Sequence, residues 1–343
     1  MTTTCNPITG GGRERRAAGL LPSLATPILA LALAAGAATS RTIAAPPRPA
    51  TFSIAAADPQ AGETGVAVAS RFFAVGSVVP FAKAGVGAVA TQANANTTFG
   101  PRGLDLLERG LSAEEVVRVL LRGDGDDARQ LGVVTASGDS ATATGPKCNT
   151  WAGGRHGPGY AVQGNILAGE PVVAAMEKAF LDSKGKRLAE RLYAAIVAGD
   201  AAGGDSRGHQ SAALVVVRAG GGFNGFSDRA IDLRVDDHAD PIGELGRLLG
   251  MSLVNDDWNR GWAAFTAKKY PEALHAQERA AAGAEKQSGM LPEVLYDLAG
   301  IRAANGDREG AMKALTRALS LNPKLRTQAD NDPDLATLRP FPK

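Results

Sequence analysis

The chain is poor in cysteine, holding two in 343 residues, and Cys5 lies in a basic N-terminal stretch that reads as removable. Cys148 is then the lone thiol of the mature protein, which excludes an intramolecular disulfide and a cysteine-rich zinc site. An excess of charge is also missing: lysine plus arginine exceed aspartate plus glutamate by 37 − 35 = 2. With no basic run interleaved with aromatics to track a phosphate backbone, no nucleic-acid partner is expected. The GxxxxGK, HExxH and GxSxG patterns do not occur, so nucleotide, zinc-protease and α/β-hydrolase chemistry have no support. A bilayer-spanning run is lacking as well, because the apolar stretch from about Leu20 to Ala35 is short and broken by Pro22 and Pro27.

What is present is ordinary globular composition, 44% hydrophobic and 21% charged, with 42 glycines for tight backbone approaches. The first fifty residues read as targeting. Arg13, Arg15 and Arg16 precede the apolar stretch, and Ala35-Gly36-Ala37 supplies a small-x-small cleavage signature. Arg15-Arg16 followed by Ala17 to Leu21 resembles a twin-arginine signal. Residues 1–37 are therefore expected to be a signal peptide, 38–50 a linker or propeptide held extended by Pro46, Pro47 and Pro49, and the protein periplasmic or secreted.

From Thr51 the pattern is strand, a turn at Asp58 to Gly62, and a second strand at Thr64 to Ser70. A buried strand is expected over Gly85 to Thr91. Helix follows, with Leu104, Leu107 and Leu111 on one face and a capping box, Ser112 to Glu115, opening the next helix. Two short strands (Leu131 to Thr135, Ser140 to Thr144), two helices (about Val172 to Leu181 and Lys186 to Val197), two more strands (Ala212 to Val217, Ile231 to Val235) and a helix from Pro241 complete a domain set at 51–255. This order implies an α+β layered sandwich with a largely antiparallel core. A helical domain is set at 256–343. There Tyr270 to Ala273 with Ala280, and Gly306 to Ala311 with Ala318 and Pro323, repeat at an offset of 311 − 273 = 38, and the tail resembles tetratricopeptide repeats.

Long motifs in 51–250 resemble one bacterial family. They are TFSIAAADPQAGETGVAVASRFFAVGSVVPFAKAGVGAVATQ (Thr51 to Gln92), GPKCNTWAG (Gly145 to Gly153), YAVQGN (Tyr160 to Asn165), GGDSRGHQSAA (Gly203 to Ala213) and DLRVDDH (Asp232 to His238). The family is that of domain of unknown function 1028, grouped with the N-terminal-nucleophile hydrolases. The resemblance implies a four-layer αββα sandwich and no demonstrated reaction. In such hydrolases a Thr, Ser or Cys opening the first strand is exposed by cleavage, and Thr51 fits that place. A freed α-amine titrates near pH 8 and can take the hydroxyl proton without a histidine. The resemblance also implies a second catalytic group, Lys83, 32 residues further on as in the proteasome-like branch, although the acidic residue which that branch carries in its second strand is absent here.

Each candidate has a plainer reading. Thr51 suits a strand by β-propensity alone, and Lys83 suits a surface turn. Cys148, with Lys147 positioned to lower its pKa, is a reactive thiol or a small buried hydrophobe. Trp151, His156, Tyr160, Gln163 and Asn165 read as a glycine-rich loop able to wall a pocket; Asp205, Arg207, His209, Gln210 and Ser211 read as a second such loop, or both are turns. Asp236-Asp237-His238-Ala239-Asp240 holds metal-ligand residue types, yet Asp240-Pro241 is a helix start. Neither a metal nor a cofactor is expected. The expected function is hydrolysis of an amide or peptide-type bond in an unknown small molecule or peptide. The alternative is a non-catalytic cell-envelope binder whose repeats dock a protein partner or self-associate.

Overall fold

Strands whose two faces are both apolar need cover on both sides, and glycine and proline punctuate them at short intervals. The computed structural model describes residues 51–341 apart from Ser288; the expected signal peptide and linker lie outside them. The chain forms β1 (Thr51–Asp58), β2 (Glu63–Ser70), β3 (Pro80–Lys83), β4 (Gly87–Ala93), α1 (Phe99–Glu108) and α2 (Ala113–Leu121). Next come β5 (Arg129–Thr135), β6 (Ser140–Thr144), β7 (Gly153–Gly157), β8 (Tyr160–Asn165), α3 (Glu170–Asp182), α4 (Leu188–Ala201), β9 (Ser211–Val217) and β10 (Arg229–Val235). Among the described residues the strands make two sheets, ordered β10-β9-β2-β1-β8-β7 and β3-β4-β5-β6, with antiparallel pairing throughout.

Three apolar layers follow from the period-two alternation. Phe52, Ile54, Ala67, Val162 and Leu214 face α3 and α4. Val89, Leu131 and Val133 on the smaller sheet face α1 and α2. Between the sheets lie Ala55, Ala57, Val66, Val68, Ala88, Ala90, Val134 and Ala213. The order is helices, sheet, sheet, helices. Small inward side chains let the two sheets approach closely, which is where part of the alanine goes. Ser112 and Glu115 cap α2 reciprocally, as their spacing predicts.

Two departures from the sequence reading matter. β3 has too short a run to register as a strand and exists because β4 pairs with it. The segment expected to be a glycine-rich loop, 151–165, is instead the β7–β8 hairpin, and β8 is a central strand paired with β1. Glycine there marks close approach and not irregularity: a Cβ on Gly154 would meet Thr142 Oγ1 at 2.7 Å.

The helix α5 (Pro241–Thr266) starts where Asp240 accepts a hydrogen bond from Gly243 N and Pro241 takes the first helical position. It runs through the expected boundary at 255/256. Its first half packs Ile242, Leu245 and Leu249 against the larger sheet's helical layer, and Val254 belongs to the core of the helical tail. That tail continues as α6 (Tyr270–Ala284), α7 (Leu291–Ala304), α8 (Arg308–Leu321) and α9 (Leu325–Asn331). Ala273 and Ala311 are each the fourth residue of their helix, and both are fully buried, as are Ala280 and Ala318 seven residues on. Among the described residues no helix is long and apolar enough to cross a membrane.

Candidate functional site

At one end of the larger sheet, register aligns four polar residues across four strands: Asn165, Thr51, Ser70 and Ser211. All are buried, and directly paired residues point to the same face, here toward the smaller sheet. The Thr51 hydroxyl lies 3.1 Å from that of Ser70. The inter-sheet layer is thus divided, apolar at the far end of β1 and polar at the end where Thr51 begins it.

The polar half is filled by amides. Ser53 Oγ donates to Gln92 Oε1 (2.5 Å), and Gln163 Nε2 donates to Ser53 Oγ (2.6 Å). Gln92 Nε2 reaches Gln130 Oε1 (2.8 Å) and the Thr51 carbonyl (3.1 Å). Asn165 Nδ2 donates to the same Gln130 oxygen (3.0 Å), and Gln130 Nε2 donates to the Gly164 carbonyl (2.7 Å) and Thr144 Oγ1 (2.9 Å). An amide both donates and accepts, so a chain of amides can cross a dry interlayer without burying a charge. Gly132 makes room for it, since a Cβ there would stand 2.2 Å from Gln163 Oε1. The network joins β1 and β8 to β4, β5 and β6, and it holds the main chain of Thr51 in place.

Above this layer Thr51 and Gln92 open onto a cavity of about 450 Å³, within the range of about 300–1,000 Å³ usual for small-molecule sites. Phe72, Val75, Val78 and Val79 make one wall; Ala93 and Ala95 continue it. Asn94, Asp126 and Arg129 form the polar rim. Arg129 Nε donates to Asp124 (2.5 Å), its Nη1 donates to the Asn94 carbonyl and lies 3.5 Å from Asp126, and Asn94 Nδ2 donates to Asp126 (3.2 Å). The Arg129 hydrogen bond holds the Asp124 carboxyl below its usual range, and the Ala128 N–H does the same for Asp126. Three of the four non-glycine residues with positive φ among the described residues stand here: Ala74 (52°) precedes Val75, Ala93 (64°) lines the cavity, and Ile166 (51°) follows Asn165. Such conformations cost about 1–3 kcal/mol each and concentrate at working sites.

The other expected site residues divide by position. Ser211 shares the Thr51 row and secures the cavity wall, donating to the Phe72 carbonyl and accepting from Val75 N. Asp205, buried, accepts from Arg71 N (2.7 Å) and from Arg207, tying its loop to the end of β2. Gln210 donates to Asp237, and the half-exposed His209 pairs with Asp200 at 2.6 Å. Lys83 is not brought to Thr51. It pairs with Gly87 at the apolar end, its ammonium meets Glu108 at 2.7 Å in solvent, and Thr64, the partner of Ala57, bonds its carbonyl. From Thr51 to Ala57 is six residues of strand, roughly 20 Å at a rise of about 3.3 Å each. His156 is exposed on β7, opposite Ala161, away from the row. Trp151 packs on the helical side of the larger sheet.

Cys148 corrects the expectation of a lowered pKa. Burial pushes its thiol up, Asp126 pushes the same way, and the neighbouring Lys147 is paired with Asp127 at 3.0 Å. Its Sγ lies 3.4 Å from the Arg129 carbonyl, beside the rim and not in the cavity. Among the described residues no group of three or more His, Cys, Asp or Glu could hold a metal ion. In the Asp236–Asp240 stretch, His238 Nδ1 accepts from Asp240 N and Asp240 caps α5.

Reading the sequence alone missed Ser53, Ser70, Gln92, Gln130, Asn94, Asp126 and Arg129. The available signal was parity: Gln92 shares its face with Ala88 and Ala90, and Gln130 shares its face with Val134. A glutamine at an inward position must find buried partners.

A protein from Silicibacter pomeroyi of known crystal structure, assigned to the DUF1028 family, is similar to this chain at 30% identity and TM-score 0.54, over 59% of this chain and 89% of that one. No curated protein matches. The model of the family of unknown function DUF1028 matches residues 51–245, more than half of the sequence, and the chain belongs to that family.

Proposed function

We propose that the protein is an exported amide-bond hydrolase of the N-terminal-nucleophile type, with Thr51 as nucleophile. The observation that carries this reading is the placement of Thr51 at the first position of a buried central strand, where it lines a cavity and its hydroxyl is hydrogen-bonded to Ser70. Among the described residues no lysine, histidine or carboxylate is hydrogen-bonded to that hydroxyl, and the base in this reading is the α-amine released when the Ala50–Thr51 bond is cut. The hydroxyl would attack the substrate carbonyl carbon while its proton passes to the amine. The C–N bond then breaks, the leaving nitrogen takes that proton, and water, deprotonated by the same amine, hydrolyses the acyl ester. The Gln92 and Asn165 amides, which donate to the Thr51 carbonyl, would hold the nucleophile's main chain still through these steps.

The helix–sheet–sheet–helix order supports an N-terminal-nucleophile-like sandwich for the region 51–255. The matched, fully buried alanines of α6 and α8 support a tetratricopeptide-like tail over 256–343. Lys83 has no part in this scheme.

Two measurements test it. Mass spectrometry of the exported protein should give Thr51 as the first residue, and the wild type should release amine from an amide library while Thr51→Ala falls at least about 1,000-fold. A mature chain starting at Ala38, or undiminished turnover by Thr51→Ala, would leave the cell-envelope binder as the reading that stands.

A further inference from the structure

We propose that the Thr51 cavity selects a neutral, branched-aliphatic acyl group and rejects anionic ones; this rests on Thr51 being the nucleophile. Two features of the cavity carry it. Apart from its polar rim the cavity is walled by apolar side chains, with Val75 and Val79 buried and Phe72 and Val78 half-buried. Val75 is fixed by its N–H bond to Ser211, which holds this part of the wall in place. Apolar substrate surface buried there is removed from water, which favours binding.

The rim supplies the discrimination. Asp124 and Asp126 share the single guanidinium of Arg129, so this group carries one net negative charge. Three of the guanidinium's five N–H donors go to Asp124 and the Asn94 carbonyl, and Asp126 lies 3.5 Å from Nη1, so a carboxylate approaching Arg129 would stand beside two others. An anionic side chain would meet both this charge and a wall unable to solvate it. A branched aliphatic group meets neither penalty.

The test compares N-acetyl-leucinamide with the α-amide of N-acetylglutamate by calorimetry, on wild type and Thr51→Ala full chains, beside turnover of the corresponding leucyl and glutamyl coumarin amides by the wild type. Leucinamide should bind at least about tenfold tighter to both proteins. Asp126→Asn should narrow the gap, and Val78→Asn should remove it. If Val78→Asn does not fold, Asp126→Asn alone decides. Equal or tighter binding of the glutamyl ligand overturns the proposal. Leucine-selective binding without turnover overturns the nucleophile and leaves the pocket, whereas turnover without leucine preference overturns the pocket and leaves the nucleophile.

Discussion

Ala93 holds a methyl group at a φ of 64°, in the left-handed region that glycine enters freely and alanine does not. The conformation turns the chain out of β4, so that Asn94 N can bond the Ala128 carbonyl and the cavity wall closes over Thr51. Replacing Ala93 by glycine should relieve that strain, and the added freedom of the unfolded chain should offset part of the gain. The unfolding free energy in urea is expected to rise by up to about 1 kcal/mol. A loss of 1 kcal/mol or more would show that the methyl's packing, and not the strain, dominates at this position. Nothing in the local sequence Gln92-Ala93-Asn94 announces the backbone it adopts. Thr51, by contrast, could be singled out beforehand because it opens the first strand directly after a proline-rich stretch.

Among the elements, β5 shows how a single inward amide ties two sheets together. Gln130 accepts from Gln92 and Asn165 and donates to Gly164 and Thr144. In Gln130→Leu both incoming donors lose an acceptor inside a dry layer, each at a cost of about 1–3 kcal/mol. Chemical denaturation should therefore record a loss of about 2–5 kcal/mol, whereas Gln60→Leu, in the exposed β1–β2 turn, should change stability by less than about 0.5. Similar losses for the two variants would mean the amide network has no energetic role. The strands themselves were largely visible as apolar runs bounded by turns. The β7–β8 hairpin was not, because its glycines mimic a loop, and only the neighbouring β1 fixes it as strand.

On the scale of the whole molecule, α5 is shared by the sandwich and the helical tail, and Asp297 on α7 fastens to it. Its Oδ2 accepts from the indole N–H of both Trp258 (2.6 Å) and Trp262 (2.7 Å), and among the described residues no cation pairs with it. Burial raises its pKa despite these two bonds, and Asp332 and Glu293 add to the rise. A carboxyl with a raised folded pKa binds its proton more tightly when folded. The stability it lends is present below the unfolded value and is lost as pH rises through the folded one. Between pH 4 and 8 the melting temperature of the wild type should therefore fall relative to that of a variant without this carboxyl. In Asp297→Asn, whose side-chain oxygen can still accept both indole bonds, the fall should be smaller and the melting point at pH 7 no lower. A steeper fall in the variant would rule out Asp297 as the titrating group.

The sequence by itself determined most of the strands as apolar runs between turns, the caps that start α2 and α5, the spacing of the small alanines in α6 and α8, and the family. These are local or periodic properties, set by backbone stereochemistry and side-chain volume within a few residues. Tertiary structure alone decided which polar residues meet. Register placed Asn165, Thr51, Ser70 and Ser211 in one row, sheet stacking brought Gln92 and Gln130 beneath it, and Lys83 went to the opposite end. Those contacts join residues as far apart in the chain as Ser70 and Ser211, 211 − 70 = 141, and a shift of one residue in any pairing would turn each side chain to the other face.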